Sequence, residues 1–389
     1  MENFIQFNDI LNDEEILIRK SIREFVDNEF LPIITEYHRK GKFPEKIIPR
    51  LAELGVFGAT LSEYELPGLS AVPYGLIMLE LERGDSGLRS VASVQNSLVI
   101  YPIHQWGSKE QKNHWIPRFS SGELIGCYGL TEADFGSNPG SMRTKVKKSG
   151  KGYILNGSKA WITNGSMAQI AVVWAKDEKE NIRGVLVEEG MPGFETKEYK
   201  GKYSLRASDT SELFFSDVFI DEEHILPGTS SLKHPFMCLT EARFGIAWGA
   251  IGSAIAVSEY ALDYAKSRLQ FRGKPIATHQ IIQEKLVWML TEISKSQLLV
   301  HHLSRLKDKG KLNFSQVSMA KRNNVWMARE CARLAREILG AAGIVDEHPV
   351  IRHMMNMESV YTYEGSHDMH TLIVGQALTG YPAFNPPEE

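Results

Sequence analysis

The chain has 389 residues, 43% hydrophobic and 24% charged, with a formal net charge of −4. That length favours two or three packed subdomains over one core, and the charge balance supplies no basic field for nucleic acid or an anionic membrane. No run of 18 or more apolar residues occurs, so no membrane span is expected. The start, MENFIQFNDILNDEEIL, is too acidic for a mitochondrial presequence and lacks the basic and apolar regions of a secretory signal. Cys127, Cys238 and Cys331 form neither a disulfide pattern nor a zinc spacing. A prokaryotic cytoplasm is the expected compartment, or the mitochondrial matrix for a processed eukaryotic protein.

Residues 1–124 read as helical. Asn12-Asp13-Glu14-Glu15 is a capping sequence before ILIRKSIREFVDNEFL, whose apolar residues fall near helical spacing. IPRLAELGVFG, LSAVPYGLIMLELERGDSG and GSKEQKNHWIPRFSSGE predict further helices, the last capped by Ser108. From 125 to 235 the pattern alternates, and Asn156-Gly157 and Asn164-Gly165 read as hairpin turns. Short strands at this spacing predict a small antiparallel barrel or sandwich. From 236 to 389, four long helical patterns predict an antiparallel bundle. The last of them contains TYEGSHDMHTLIVGQALTG.

Several familiar chemistries find no support. His301-His302 and His367-x-x-His370 have no further ligand at metal spacing, so no metal site is expected. Nucleophile-elbow, dinucleotide-fingerprint and P-loop motifs are missing. LGAAGI (339–344) follows a helix rather than a strand and reads as a helix end. Three segments resist a structural account. In CYGLTEADFGSN (127–138), Gly136-Ser137 offers backbone N–H groups to a planar ligand. WITN (161–164) sets an aromatic beside a hydroxyl and an amide. In YEGSHD (363–368), Glu364 precedes a glycine at the start of the last helix.

Taken together and in order, these segments resemble the acyl-CoA dehydrogenase family over nearly the whole chain. LTEADFGSN and KAWITNGSMAQIAVVWA are similar to its two flavin segments. RLQFRGKPIATHQIIQEKL is similar to its R-x-x-F-G…Q stretch that reaches a neighbouring subunit's flavin, and LGAAGI sits where the family has G-G-x-G. YEGS is similar to its catalytic Y-E-G-T. The resemblance implies a helical N-terminal domain, a middle β-domain and a C-terminal four-helix bundle, with FAD between the last two. It assigns Tyr128, Leu130, Thr131, Gly136, Ser137, Trp161 and Thr163 to the flavin ring region. Arg268, Phe271, Gln280 and Leu339-Gly340-Ala341 fall to the pyrophosphate and adenosine side, and Ser366 and Asp368 near the flavin. Phe236, Leu239 and Arg243 line the acyl-CoA channel, together with Ser137, Tyr363 and Gly365. Glu364 is the implied base for the thioester α-proton, with the β-hydride passing to the flavin. Some members carry the base on another helix, but the matching position here is Ala242. Glu241, one residue away, is turned by about 100°.

Substrate choice rests on Arg89. It sits among Gly87, Leu88, Ser90 and Val91, where a guanidinium wants an anion. LERGDSGLRSVASVQNSL resembles the glutaryl-CoA branch, in which this arginine binds the distal carboxylate, here helped by Ser90 and Ser93. Glu82 and Tyr363 are similar to the decarboxylating members. The implied reaction converts glutaryl-CoA to crotonyl-CoA and CO2 in a homotetramer, with electron-transferring flavoprotein as acceptor. Alternatives are a non-decarboxylating glutaryl-CoA enzyme, a short- or medium-chain dehydrogenase or oxidase, and a flavin-less acyl-CoA binding scaffold. Ala133, Asn138, Ala341-Ala342 and Ser366 depart from the family's usual Pro, Asp, Gly-Asn and Thr.

Overall fold

A computed structural model describes residues 2–384. The first long helix, Asp13–Phe25, begins with a reciprocal capping box: Asn12 Oδ1 accepts from Glu15 N and Glu15 accepts from Asn12 N. Such a cap stabilises a helix by about 1 kcal/mol. The helix continues through a π-turn, Val26–Phe30, into Leu31–Lys40. The Ala71–Gly84 helix is buried along nearly its whole length. A helix absent from the expectation follows at once, from Ser86 to Ser93, and runs on helically to Trp106. Gly84-Asp85-Ser86-Gly87 reads as a chain break, but Asp85 Oδ1 accepts from Gly87 N at 2.7 Å and restarts the helix. The Lys109–Ser120 helix carries a second capping box, Ser108 with Gln111.

The middle region is a curled sheet of seven strands: β1 (Gly126–Gly129), β2 (Lys145–Ser149), β3 (Gly152–Thr163), β4 (Ile170–Lys176), β5 (Ile182–Glu188), β6 (Phe194–Glu198) and β7 (Thr210–Asp221). The pairs β2/β3, β3/β7, β4/β5 and β6/β7 are antiparallel. β1 runs parallel to β4, and β2 meets β4 in parallel at Lys145–Lys176. One expected turn is overturned. Asn156-Gly157 lies inside β3 at a bulge opposite β7, and the β2/β3 reversal falls between Ser149 and Gly152. Asn156 exchanges two 2.9 Å hydrogen bonds with Asp217, which holds the bulge in register. Gly157 has φ +140°, and a Cβ there would lie 2.7 Å from the Thr144 Cα.

Among the described residues, the helices Lys233–Ser267, Gln280–Asp308, Phe314–Leu339, Pro349–Thr362 and His367–Thr379 form the C-terminal part. The last helix starts just after Glu364, as expected, and the turn Tyr363–Ser366 before it forms the candidate site. The Lys233–Ser267 helix is the central column, packed on Phe314–Leu339 and Ala71–Gly84. It is long and apolar enough to cross a membrane by composition alone, but 78% of its apolar stretch is buried inside the protein. Trp248 on it is fully buried, with Nε1 donating to Ser304 Oγ at 3.1 Å. Truncating such a core tryptophan costs about 3–5 kcal/mol. Asp85 crosses between layers: its Oδ2 accepts from Arg352 Nη1 at 2.7 Å and from Asn356 Nδ2 at 2.9 Å.

Candidate active site

The Pro349–Thr362 helix stops where Tyr363 turns extended. Glu364 then adopts φ +52° and Gly365 φ +94°, and Ser366 caps the next helix by accepting from Met369 N at 3.2 Å. A left-handed glutamate costs about 1–2 kcal/mol and persists only where its surroundings hold it. Two cations from two other helices do so. Arg243 Nε donates to Glu364 O at 2.7 Å. Lys321 Nζ donates to Tyr363 O at 3.0 Å and to Gly365 O at 2.8 Å. Three successive carbonyls are therefore each bound by a side-chain cation.

Glu364 is half-buried, and its carboxylate Oε2 is buried and without a partner among the described residues. Burial pushes its pKa above the ordinary carboxylate value, and Arg89, Arg243 and Lys321 oppose that rise. Burial likewise pushes Lys321 down to about 7, with Glu364 resisting and Arg243 and Arg89 adding to the fall. His370 is buried, both ring nitrogens lack partners among the described residues, and desolvation lowers its pKa to about 2.

Arg89 reaches the same centre from the Ser86–Ser93 helix. It is fully buried; Nε donates to Glu82 Oε2 at 2.7 Å and Nη2 to the Tyr363 hydroxyl. Glu82 Oε1 also accepts from Ser86 Oγ at 2.9 Å. Burial works against the charge of Arg89, but Glu82 overcomes it and keeps the guanidinium firmly protonated. Arg89 Nη1 and the buried hydroxyls of Ser90 and Ser93 have no partners among the described residues. Each buried donor left unmade costs about 1–3 kcal/mol. Arg89 and Ser93, four residues apart, share one face of the Ser86–Ser93 helix, and an unpartnered guanidinium N–H there suits an acceptor-rich group. Close approach by the central column builds this site: a Cβ on Gly249 would lie 2.1 Å from Glu82 Oε2.

The expected flavin residues lie on the β-domain and the bundle ends. Tyr128 is buried, with its hydroxyl donating to Pro235 O at 3.1 Å, and Leu130 is buried beside it. Thr131 and Thr163 are half-buried, whereas Gly136 and Ser137 are exposed. Trp161 is 62% exposed, holds φ +62° and stacks on Tyr199 at 4.3 Å. An exposed tryptophan in left-handed backbone is a conformational outlier held in place by its surroundings. Arg268, Phe271 and Gln280 are exposed around a small hairpin, Leu269–Gln270 with Lys274–Pro275. Leu339 is buried, and Gly340 and Ala341 are exposed at the end of the Phe314–Leu339 helix. Asp368 is exposed in the first turn of the final helix. Phe236 is exposed and Leu239 half-buried on the first turns of the central column. Glu241 turns away from Glu364 to pair with Lys307 at 2.7 Å.

Sequence reasoning missed three supporting residues. Lys321 occupies the core stripe Val317, Ala320, Lys321, Asn324, Ala328, where a lysine stands out at helical spacing. Glu132 and Lys159 brace the 130–138 loop. Glu132 accepts from Arg143 N, Thr144 N, Thr144 Oγ1 and Lys159 Nζ, all within 2.9 Å. No local pattern announces that four-fold hub.

The chain thus sets Glu364, at a turn between two helices of a helix–sheet–helix fold, within electrostatic reach of Arg89, Arg243 and Lys321. The chain belongs to the acyl-CoA dehydrogenase family: the family's N-terminal, middle and C-terminal domains match residues 12–123, 127–218 and 235–379. Glutaryl-CoA dehydrogenase from Mycobacterium smegmatis is similar at 51% identity and TM-score 0.97, over 99% of both chains. A second M. smegmatis glutaryl-CoA dehydrogenase structure, in complex with FADH2, is similar at 45% identity and TM-score 0.96, over 98% of both. An acyl-CoA dehydrogenase of Bacillus subtilis is 34% identical over 95% of this chain and 99% of its own.

Proposed function

We propose that this protein oxidises glutaryl-CoA with bound FAD and decarboxylates the product to crotonyl-CoA. The observation that carries the reading is the buried, unpartnered donor set of Arg89 Nη1, Ser90 Oγ and Ser93 Oγ, tied to the base loop through Tyr363. A carboxylate satisfies those donors, and a plain acyl chain leaves them unmade. The residues also fit FAD. Gly136-Ser137 and the strained, exposed Trp161 present a surface braced from beneath by Glu132 and Lys159. FAD, when bound, supplies the two-electron acceptor for the β-carbon.

The chain's own residues do the rest. Arg89, Ser90 and Ser93 hold the distal carboxylate and so set the position of the α-carbon. Glu364, its basicity raised by burial, takes the α-proton. Loss of the β-hydride gives glutaconyl-CoA. Its distal carboxylate leaves as CO2, the electron pair delocalising into the thioester, and protonated Glu364 returns its proton to the dienolate. Electron-transferring flavoprotein is the proposed acceptor and a homotetramer the proposed assembly. The proposed location is a prokaryotic cytoplasm, or the matrix for a mitochondrial protein. The test is incubation with glutaryl-CoA and an artificial acceptor, with products identified by mass. Crotonyl-CoA is expected. Accumulated glutaconyl-CoA would replace the decarboxylating reading, and turnover of butyryl-CoA alone would sink the dicarboxylate reading.

A further inference from the structure

Burying an ammonium costs several kcal/mol unless it is well compensated. Lys321 is 1% exposed, and a second cation, Arg243, lies in the same neighbourhood. A methionine of similar length would fill the space at no charge cost. What Lys321 does that methionine cannot is bind the Tyr363 and Gly365 carbonyls together. Those are the carbonyls of the two residues on either side of Glu364, whose backbone is left-handed at φ +52°.

We propose that Lys321 is a positioning residue for the dehydrogenation: by spanning the carbonyls that flank Glu364, it holds the left-handed turn that aims the carboxylate at the substrate. Arg243, on the Glu364 carbonyl, is the third point of the same clamp. The charged and titratable groups facing Lys321 are Glu364, Arg243, Arg89, Glu82, Tyr363, His370 and His367. Its ammonium favours the ionised Glu364, so its removal should raise the pKa of the base as well as loosen it.

The inference rests on Glu364 being the base. Glu364→Gln tests that separately: a variant that still dehydrogenates ends the base reading whatever Lys321 does. For Lys321, the FAD-loaded Lys321→Met enzyme is mixed rapidly with glutaryl-CoA and flavin bleaching is followed against pH. The plateau rate should fall about 100-fold, the loss expected of a group misplaced by about 1 Å. Thioester affinity should change by no more than roughly threefold, since the lost contact serves the transition state rather than ground-state binding. The acid limb should move to higher pH. Lys321→Arg, with charge and several donors, should recover about tenfold of the loss. A folded Met variant with wild-type plateau and acid limb would overturn the proposal, as would equal losses of rate and affinity with an unmoved limb. If the variants fail to hold FAD, ¹⁵N-lysine spectra of the wild-type holoenzyme decide. A slowly exchanging ammonium that shifts on binding a non-reactive thioester is expected, and its absence would count against the clamp.

Discussion

At the scale of single residues, the site separates a group that must change charge from one that must not. Burial pushes Glu364 above the ordinary carboxylate value, and on the proposed mechanism it works as a base only when ionised. The acid limb of kcat/KM should therefore lie above the ordinary carboxylate range, activity falling as pH drops through it, and Glu364→Gln should remove that limb with about 10⁴-fold of the rate. Arg89 stays charged throughout because Glu82 secures it. Arg89→Gln should lower kcat/KM for glutaryl-CoA at least about 100-fold more than for butyryl-CoA, since a polar site that loses its partner discriminates steeply. Equal losses on the two thioesters would show that Arg89 only supports the fold. Arg89 and Glu364 were singled out in the sequence through the family motifs their segments resemble, and the structure brings the two into electrostatic reach. Lys321 and Glu132 were not, because what they hold lies 42 and 12 residues away along the chain.

At the scale of elements, short polar signals read well and glycine signals read poorly. Asn12 and Ser108 cap helices as their spacing predicts. The Asn-Gly pair at 156 predicts a turn, but the ladder from Gly152 to Thr163 overrides it and spends the glycine on a bulge. Asp85 restarts a helix where the flanking glycines suggest a loop. The Pro349–Thr362 and His367–Thr379 helices are separated by Tyr363 to Ser366, which serve the site rather than the ladder. Gly249 shows the same priority in packing. Gly249→Ala would drive a methyl group into the Glu82 carboxylate. It should destabilise the protein by about 1–3 kcal/mol, measured by denaturant unfolding, and weaken glutaryl-CoA binding more than butyryl-CoA binding.

At the scale of the whole molecule, several large apolar side chains stay in solvent at the ends of the bundle: Leu269, Phe271, Ile281, Leu378 and Tyr381. Patches of this kind mark interfaces. On the proposed homotetramer, sedimentation should give a mass four times that of the 43.8 kDa chain, and Phe271→Asp should lower that mass and the FAD content together. Retention of both would detach the hairpin from assembly. Within one chain, the longest-range organisation runs through Asp85. One carboxylate starts the helix that carries Arg89 and grips the helix that ends at Tyr363–Glu364. On the proposed mechanism, this buried strut fixes the separation between Arg89 and Glu364 and so serves as a ruler for the carbon chain. Asp85→Asn, which weakens the strut while keeping its shape, should blur the gradations: the preference for the five-carbon diacid thioester over its four- and six-carbon neighbours should shrink more than the rate on any one of them.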